Sequence, residues 1–201
     1  TVFRIAPSGG STFKTLYGFC AQSGCADGDQ PLAGLVQGTN GYLYGTTSNA
    51  GTNGGGTVFK ITPSGKLTTL YSFCSQSGCT DGFKPLAGLV QATNGNFYGT
   101  TFYGGNCGGT NGCGTVFTLP VGLGPFVETR PTSGKVGAAV QILGTDLTGA
   151  TTVTFNTTAA AFTVVSPTLI TTTVPTGATT GTVQVVTLGG TLSSNVPFQV
   201  R

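Results

Sequence analysis

The acidic side chains are the first candidates for catalysis, because the chain contains no histidine. Its 201 residues include five carboxylates: Asp27, Asp29, Asp81, Glu128 and Asp146. A Ser-His-Asp or Cys-His arrangement is therefore impossible, and a glycosidase needs two carboxylates that face one sugar. Asp27 and Asp81 each precede a glycine at equivalent positions of an internal repeat, so we expect them on corresponding turns and not in one site. The sequence predicts that the protein is not an enzyme.

Asp27-Gly28-Asp29 resembles a calcium ligand set, since closely spaced carboxylates bind this ion. The second repeat has Phe83 where the first has Asp29, and further carboxylates are lacking nearby. The glycine-rich runs 51–56 and 104–114 carry no Lys-Ser/Thr ending and open no helix, so they are expected to be loops and not phosphate-binding motifs. We expect no cofactor and no bound metal.

The six cysteines fall into three close pairs: Cys20/Cys25, Cys74/Cys79 and Cys107/Cys113. Zinc ribbons space their cysteines by two residues, which these pairs do not, and histidine is missing. Three local disulfides are the favoured interpretation, although six cysteines formally allow other connectivities. Disulfides persist in oxidising compartments, and the absence of methionine suggests a processed or truncated piece. We therefore expect an extracellular or cell-surface protein.

Charge and hydropathy exclude several classes of protein. Charged residues make up 6% of the chain, the formal net charge is +3 and the mean hydropathy is +0.21. This combination argues against disorder, and so few cations form no nucleic-acid-binding face. No apolar run reaches the roughly 18 residues of a membrane span. β-branched residues alternate with turn formers without a helical period, which predicts an all-β fold.

An internal repeat organises the first part of the chain. The segment Gly56–Gly65 occurs almost whole at Thr1–Gly9 and in shortened form at Gly114–Leu119, and corresponding residues are 54 to 58 positions apart. Repeats of this length are typical of propeller blades or stacked arrays. In the second unit the predicted strands are Val58–Thr62, Leu67–Phe73, Leu86–Gln91 and Asn96–Thr101. We predict two four-stranded, blade-like repeats over residues 1–119.

The pattern Gly-Thr-Val-Phe-Lys-Ile-Thr-Pro-Ser-Gly, with Asp-Gly-Phe-Lys-Pro-Leu-Ala-Gly-Leu-Val-Gln downstream, resembles the tandem repeat of secreted bacterial propeller-like proteins. The resemblance covers about residues 1–119 and implies secretion and a propeller-like fold, but no chemistry at particular positions. Propellers typically use four to eight blades, so two repeats cannot close a ring. Three copies of the first strand serve only two units. We therefore expect an assembly strand, formed by Thr1, Val2, Phe3, Arg4 and Ile5, that pairs with a neighbouring copy of the chain.

A second domain is expected after a linker at residues 120–124. Seven short strands are predicted within residues 125–201, which indicates an immunoglobulin-like β-sandwich. They are Phe126–Arg130, Ala138–Leu143, Thr152–Asn156, Ala160–Val165, Leu169–Val174, Gly181–Thr187 and Pro197–Val200. Motifs such as Pro131-Thr132-Ser133-Gly134 and Gly181-Thr182-Val183-Gln184-Val185 resemble the IPT/TIG family of immunoglobulin-like domains. The resemblance implies a spacer or surface module, and with only three cations in this region it does not imply DNA binding.

Two hypotheses about function follow. The first is an extracellular structural protein that self-assembles into a ring or filament through its incomplete repeat domain, by exchange of the N-terminal strand. The second is a cell-surface adhesion or carbohydrate-binding module. Its glycan contacts would be Tyr44, Tyr98, Phe102 and Tyr103, with cross-strand packing as the competing role of the repeated tyrosines. Asn156 begins an Asn-Thr-Thr sequon for glycosylation. The expected partners are copies of the chain, a glycan or the cell surface, but no nucleic acid.

Overall fold

The computed structural model describes residues 1–5, 13–107 and 112–201, and the described residues form an all-β protein. Ala6–Gly9 of the first repeat copy and part of the run 104–114 lie outside the described residues. The chain divides into two compact units. The first contains Thr1–Gln91 and Phe97–Pro120, and the second contains Ala92–Asn96 and Val121–Arg201. No helix among the described residues is long and apolar enough to cross a membrane.

The first unit contains three antiparallel sheets. Its strands are β1 (Val2–Ile5), β2 (Phe13–Tyr17), β3 (Val36–Gln37), β4 (Leu43–Thr47), β5 (Thr57–Ile61), β6 (Leu67–Ser72), β7 (Val90–Gln91), β8 (Phe97–Thr101) and β9 (Thr115–Leu119). The sheet orders are β1-β2, β3-β4-β5-β6 and β7-β8-β9. Short 3-10 turns at Ser23–Cys25 and Ser77–Cys79 lie in the two loops that lead from one sheet to the next.

The division into sheets differs from the predicted division into repeats. In the four-stranded sheet, β3 and β4 are the third and fourth strands of one repeat, whereas β5 and β6 are the first and second strands of the next. The four strands predicted for each repeat are present, as β1 to β4 and β5 to β8, but the strands of one repeat are divided between two sheets. The described residues form one four-stranded sheet between a two-stranded and a three-stranded sheet. Strands β4 and β5 stay together because the loop between them folds back on itself, with the Gly56 amide donating to the Ala50 carbonyl at 2.9 Å.

The sheets of the first unit pack through alternating side chains of their strands. In β5, Val58, Phe59 and Ile61 are all 0% exposed. Phe59 and Ile61 form a buried cluster with Val2 of β1. Adjacent side chains of a strand point to opposite faces, so Val58 lies on the other face of the sheet, which packs against the third sheet. The middle sheet is thus covered by the first sheet on one face and by the third sheet on the other.

Aromatic contacts recur at equivalent positions between successive sheets. Phe19 meets Phe59 edge to face, with ring centroids 4.9 Å apart. The equivalent pair in the next repeat, Phe73 and Phe117, has the same arrangement at 5.0 Å. Edge-to-face packing is a favourable arrangement for two aromatic rings. The sequence repeat is therefore also a repeat of the packing between sheets.

The second unit contains two four-stranded antiparallel sheets that share one core. Its strands are β10 (Glu128–Arg130), β11 (Ser133–Gly134), β12 (Ala139–Leu143), β13 (Thr152–Phe155), β14 (Thr158–Ala159), β15 (Phe162–Ser166), β16 (Leu169–Thr173), β17 (Val183–Thr187), β18 (Gly190–Ser193) and β19 (Gln199–Val200). The sheet orders are β10-β12-β16-β15 and β14-β13-β17-β18, and β11 pairs in parallel with β19. Ile142 and Ile170 of one sheet join Phe155 and Val185 of the other in a buried cluster.

Strand β18 is missing from the predicted strands of this unit. Its first residue, Gly190, follows another glycine, and glycine is depleted in strands, so this segment gives no strand signal. In the structure the turn is Leu188-Gly189, because Thr187 and Gly190 are already paired across β17 and β18. The short strands β11 and β14 also have no predicted counterpart. Two-residue strands are too short to show the alternation by which strands are recognised in a sequence.

Candidate functional site

The two cysteine loops have the same geometry, and in each of them an aspartate accepts several hydrogen bonds from the loop. Asp27 is 0% exposed, and its carboxylate accepts hydrogen bonds from the Tyr17 hydroxyl at 2.8 Å and from the amides of Ala21 and Gln22 at 3.1 and 3.2 Å. A buried carboxylate is stable only when such donors replace the water that it loses. Asp27 therefore ties the loop that contains Cys20 and Cys25 to strand β2.

Asp81 holds the second cysteine loop in the same way. It accepts hydrogen bonds from the Tyr71 hydroxyl at 2.8 Å, from the Ser75 amide and hydroxyl at 2.9 Å each, and from the Gln76 amide at 3.3 Å. The Asp-Gly pattern predicts a turn at Asp27 and Asp81 but not this anchoring role. The signal was present, since a tyrosine stands ten residues before the aspartate in both repeats.

Burial and hydrogen bonding act in opposite directions on these aspartates. Burial of Asp27 opposes its ionisation, but the hydrogen bonds from Tyr17, Ala21 and Gln22 outweigh it and hold the pKa of Asp27 below its ordinary value. The pKa of Asp81 is lowered in the same way, against the opposing effect of burial, by Ser75, Tyr71 and Gln76. Both carboxylates are therefore negatively charged at neutral pH and act as acceptors only.

We expect the folded state to lose stability in acid for this reason. A carboxyl whose pKa is lower in the folded chain stabilises it fully above the unfolded-state pKa of about 4, and this contribution is lost as the pH falls through the folded-state pKa. Urea unfolding between about pH 5 and pH 2 should show the loss. Asp27→Asn should be less stable than the native chain at neutral pH and should depend less steeply on pH.

The matched control for this prediction is Asp29→Asn. Asp29 lies two positions away, and its carboxylate accepts one hydrogen bond, from the Gln30 amide at 2.7 Å. Its replacement removes the same charge without touching the loop anchor, so stability at neutral pH should stay close to that of the native chain. An Asp27→Asn protein with the native acid profile would contradict the assigned role of Asp27.

A pair of threonines forms the last cross-strand pair before the loop in each of two hairpins, β4–β5 and β8–β9. Thr47 of β4 and Thr57 of β5 share a buried hydrogen bond between their hydroxyls at 2.8 Å, and the Thr57 amide donates to the Thr47 hydroxyl at 3.1 Å. Thr101 and Thr115 repeat both contacts, at 2.8 and 3.0 Å. Gly28 packs directly over the first pair: a Cβ atom there would collide with the hydroxyls of Thr47 and Thr57. The glycine of each Asp-Gly pair is therefore required by close packing.

The cysteines form the three local pairs that the sequence predicts. Disulfides join Cys20 to Cys25, Cys74 to Cys79 and Cys107 to Cys113. The first two span the loops that Asp27 and Asp81 anchor, so each loop is held by a covalent bond and by a carboxylate. Among the described residues, no group of three or more His, Cys, Asp or Glu side chains is arranged to hold a metal ion.

The outer sheets expose apolar side chains that the middle sheet buries. Phe59 and Ile61 are fully buried, but their repeat equivalents Phe3 and Ile5 are 52% and 59% exposed. With Phe13, whose ring stacks on that of Phe3 at a centroid distance of 5.1 Å, they form what we call the first end face. This face lies on the two-stranded sheet, on the side away from the middle sheet.

The opposite end of the first unit also exposes a side chain whose repeat equivalent is buried, but on the other face of the sheet. Val58 is fully buried, whereas its equivalent Val116 in β9 is 80% exposed. Val116, with Val90 of β7 and Thr100 of β8, which are also exposed, defines the second end face. In the middle of the unit the corresponding faces meet, because the Val58 side of one sheet packs against the Phe117 side of the next. The two end faces are thus of the two types that pair inside the molecule.

The predicted assembly strand, Thr1–Ile5, has a partner in its own chain. Strand β1 pairs antiparallel with β2, with Phe3 opposite Thr15 and Ile5 opposite Phe13. Strand β9 is likewise paired with β8. Exchange of β1 between molecules would first have to break its pairing with β2. Docking of the exposed end faces requires no such rearrangement.

The predicted glycan contacts do not form one group. Tyr44 is 1% exposed and stacks on Phe97 with centroids 4.1 Å apart, so it has no free face for a ligand and takes the competing packing role. Tyr98 is partly buried. Phe102 is 57% exposed and meets Tyr103 edge to face at 4.6 Å. Only the last two, from the loop after β8, form an aromatic pair at the surface.

The glycosylation sequon lies at the end of β13, as the sequence predicts, and its asparagine is held by hydrogen bonds. The Asn156 side-chain amide donates to the Thr179 hydroxyl at 2.8 Å and to the Thr180 carbonyl at 3.3 Å. The chain turns here with φ of 42° at Asn156. Attachment of a sugar to this nitrogen replaces one of its two N–H groups, so in the folded chain at least one of these hydrogen bonds would be lost.

Comparison with known proteins gives one family. No curated protein is significantly similar to the chain. A solved structure, the gamma-CGTase from Alkalophilic bacillus clarkii, aligns at 20% identity over 79% of this chain and 24% of its own, with a TM-score of 0.35. A similarity at this level carries no argument about fold or activity. Residues 1–187 match the family described as the Gloeobacter/Verrucomicrobia repeat. Because this match covers most of the chain, the protein belongs to the Gloeobacter/Verrucomicrobia repeat family.

Proposed function

We propose that the protein is an extracellular structural subunit that assembles with copies of itself through the two end faces of its repeat unit. The observation that carries this proposal is the difference in burial between equivalent residues of the repeat. Phe59 and Val58 are fully buried, whereas Phe3 on the first end face and Val116 on the second are 52% and 80% exposed. The second end face of one molecule would dock on the first end face of the next, as successive sheets do within the chain.

This docking is head to tail, because each molecule contributes two different faces. Such a contact forms a ring if the rotation between molecules closes and a filament if it does not. In this proposal the repeat sheets are propeller-like blades whose stack continues from one chain into another. The second unit is an IPT/TIG-type sandwich that serves as a spacer or surface module. The three local disulfides support an extracellular location.

The expected strength of the contact follows from the side chains on the end faces. Full burial of a large apolar side chain contributes about 1.5 to 3 kcal/mol. Phe3, Ile5 and Val116 are already partly buried, so together they would contribute only about as much as the association cost, which is at least about 4 kcal/mol. We therefore expect assembly to depend strongly on concentration, with single chains at high dilution and oligomers in concentrated solution.

Sedimentation velocity of the native chain and of Val116→Lys tests the proposal. The native chain should form species larger than its 20.1 kDa monomer as its concentration rises. A lysine at position 116 would place a charge in the contact, so Val116→Lys should remain monomeric. A native chain that stays monomeric at every concentration would exclude self-assembly.

Val165→Lys is the matched control. Val165 is also a strand valine, in β15 of the second unit, and it is 57% exposed. The substitution adds the same charge in the other unit, which contributes no residue to either end face, so it should assemble like the native chain. If Val165→Lys and Val116→Lys reduce assembly equally, the effect comes from net charge and the end faces are not the contact.

A further inference from the structure

The second repeat carries aromatic side chains where the first repeat has polar ones. Phe83, Phe102 and Tyr103 stand at the positions of Asp29, Ser48 and Asn49. The next residue along, Lys84, replaces Gln30. We call Phe83, Lys84, Phe102 and Tyr103 the aromatic cluster. Since the first repeat folds with small or polar residues at these positions, the fold itself does not require the aromatic rings.

The backbone beneath the cluster is the same in both repeats. The Phe83 amide donates to the Tyr103 carbonyl at 2.8 Å, and the Tyr103 amide donates back at 2.9 Å. The equivalent bonds between Asp29 and Asn49 measure 2.8 and 3.1 Å. The Phe102 amide also donates to the Lys84 carbonyl at 2.9 Å. This paired backbone fixes the directions of the side chains, and a preorganised site loses little entropy on binding.

The cluster brings three aromatic rings close together. Phe102 and Tyr103 have centroids 4.6 Å apart, and Phe83 lies 6.5 Å from Tyr103. Phe102 is exposed and the other two are partly exposed. The negative face of an aromatic ring attracts the C–H groups of a pyranose, and the Tyr103 hydroxyl can exchange hydrogen bonds with sugar hydroxyls. A protein partner would need a contact of about 800 Å² on each side, which four residues do not supply.

The positive charge of Lys84 indicates which ligands the aromatic cluster would favour. Its ammonium group lies 5.7 Å from the centroid of the Phe83 ring, and it forms no ion pair with any described residue. An uncompensated cation beside stacking rings complements an anionic group on the ligand. We propose that the aromatic cluster binds a polysaccharide built from acidic sugars, with the rings stacking on the sugar and Lys84 bound to its carboxylate.

This proposal is independent of self-assembly, because it rests on different residues and on a different comparison. The probe is polygalacturonate, titrated into the native chain and followed by calorimetry, with dextran as the neutral polymer. The native chain should bind polygalacturonate at least about tenfold more tightly than dextran, about 1.4 kcal/mol. Absence of binding to polygalacturonate, or equal affinity for both polymers, would overturn the proposal.

The triple variant F83D/F102S/Y103N places the side chains of the first repeat on the second. Because the first repeat already carries them on the same backbone, the variant should fold, and it should lose binding at least about tenfold. Phe102→Ala, at an exposed position, is the second variant if the triple one does not fold, and it should also weaken binding. The variant K84Q should bring the affinity for polygalacturonate down to that for dextran.

Tyr42→Ser is the control for unspecific stacking. Tyr42 is another exposed ring, with the Lys60 ammonium 5.6 Å from its centroid, but it is outside the aromatic cluster. Its loss should leave binding unchanged. Binding that survives in F83D/F102S/Y103N, or that is lost in Tyr42→Ser, would place the site elsewhere and contradict the assignment.

Discussion

Replacing Phe59 by alanine should destabilise the protein by about 3 to 5 kcal/mol. Phe59 is fully buried in the middle sheet, where it packs against the Phe19 ring and clusters with Val2 and Ile61. Removing the ring loses its transfer free energy and leaves a cavity that this closely packed surrounding cannot fill. Chemical unfolding of the variant, compared with the native chain, measures the difference.

The internal repeat supplies the control for this prediction. Phe3 is the same residue at the equivalent position, but it is 52% exposed on the first end face. Phe3→Ala should therefore cost less than about 1 kcal/mol in a dilute, monomeric sample. The comparison must be made at low concentration, because Phe3 is expected to contribute to assembly. If both variants lose the same stability, the sheets do not pack as the structure describes.

The second large effect is expected from Gly28→Ala, which should destabilise by about 2 to 5 kcal/mol. Gly28 has φ of 94°, a conformation that residues with a Cβ rarely adopt, and an added methyl group would collide with the Thr47 and Thr57 hydroxyls. The substitution would therefore strain the backbone and disrupt the buried hydrogen bond between β4 and β5 together. The same argument applies to Gly82 in the next repeat, beside Thr101 and Thr115.

Gly34→Ala is the corresponding control. Gly34 belongs to the same repeat, and a Cβ atom there would meet no heavy atom within 4 Å. Its replacement should change the free energy of unfolding by no more than about 0.5 kcal/mol. Equal stability of Gly28→Ala and Gly34→Ala would show that the space over the threonine pair can expand, and the assigned close packing would then be wrong.

Local features were predictable because short sequence patterns determine them. Asn40-Gly41 and Asn94-Gly95 indicate hairpin turns, and the structure places them between β3 and β4 and between β7 and β8. The three cysteine pairs are close in sequence, so their disulfides need no knowledge of the fold. The short, mainly apolar run Val58–Ile61, with its β-branched and aromatic residues, likewise identifies a buried strand.

The roles of individual site residues were less predictable. Tyr44 and Tyr98 occupy the same repeat position and cannot be distinguished from the sequence, yet Tyr44 is buried because the next sheet brings Phe97 onto its ring. Asp27 looked like a turn residue because Asp-Gly is a turn signal. Its carboxylate is instead the acceptor for a loop whose donors lie five to ten residues earlier in the chain.

The sequence by itself determined the period of the repeat, the β-strands, the turns and the cysteine pairs, because each of these depends on residues close together in the chain. The tertiary structure decided where one sheet ends and the next begins. A repeat has the same order of strands whichever strand is counted first, so its period cannot mark the boundary between sheets. That boundary depends on which loops close back on the same sheet and which lead to the next. The same packing decided that Phe59 and Val58 are buried while Phe3 and Val116 are exposed.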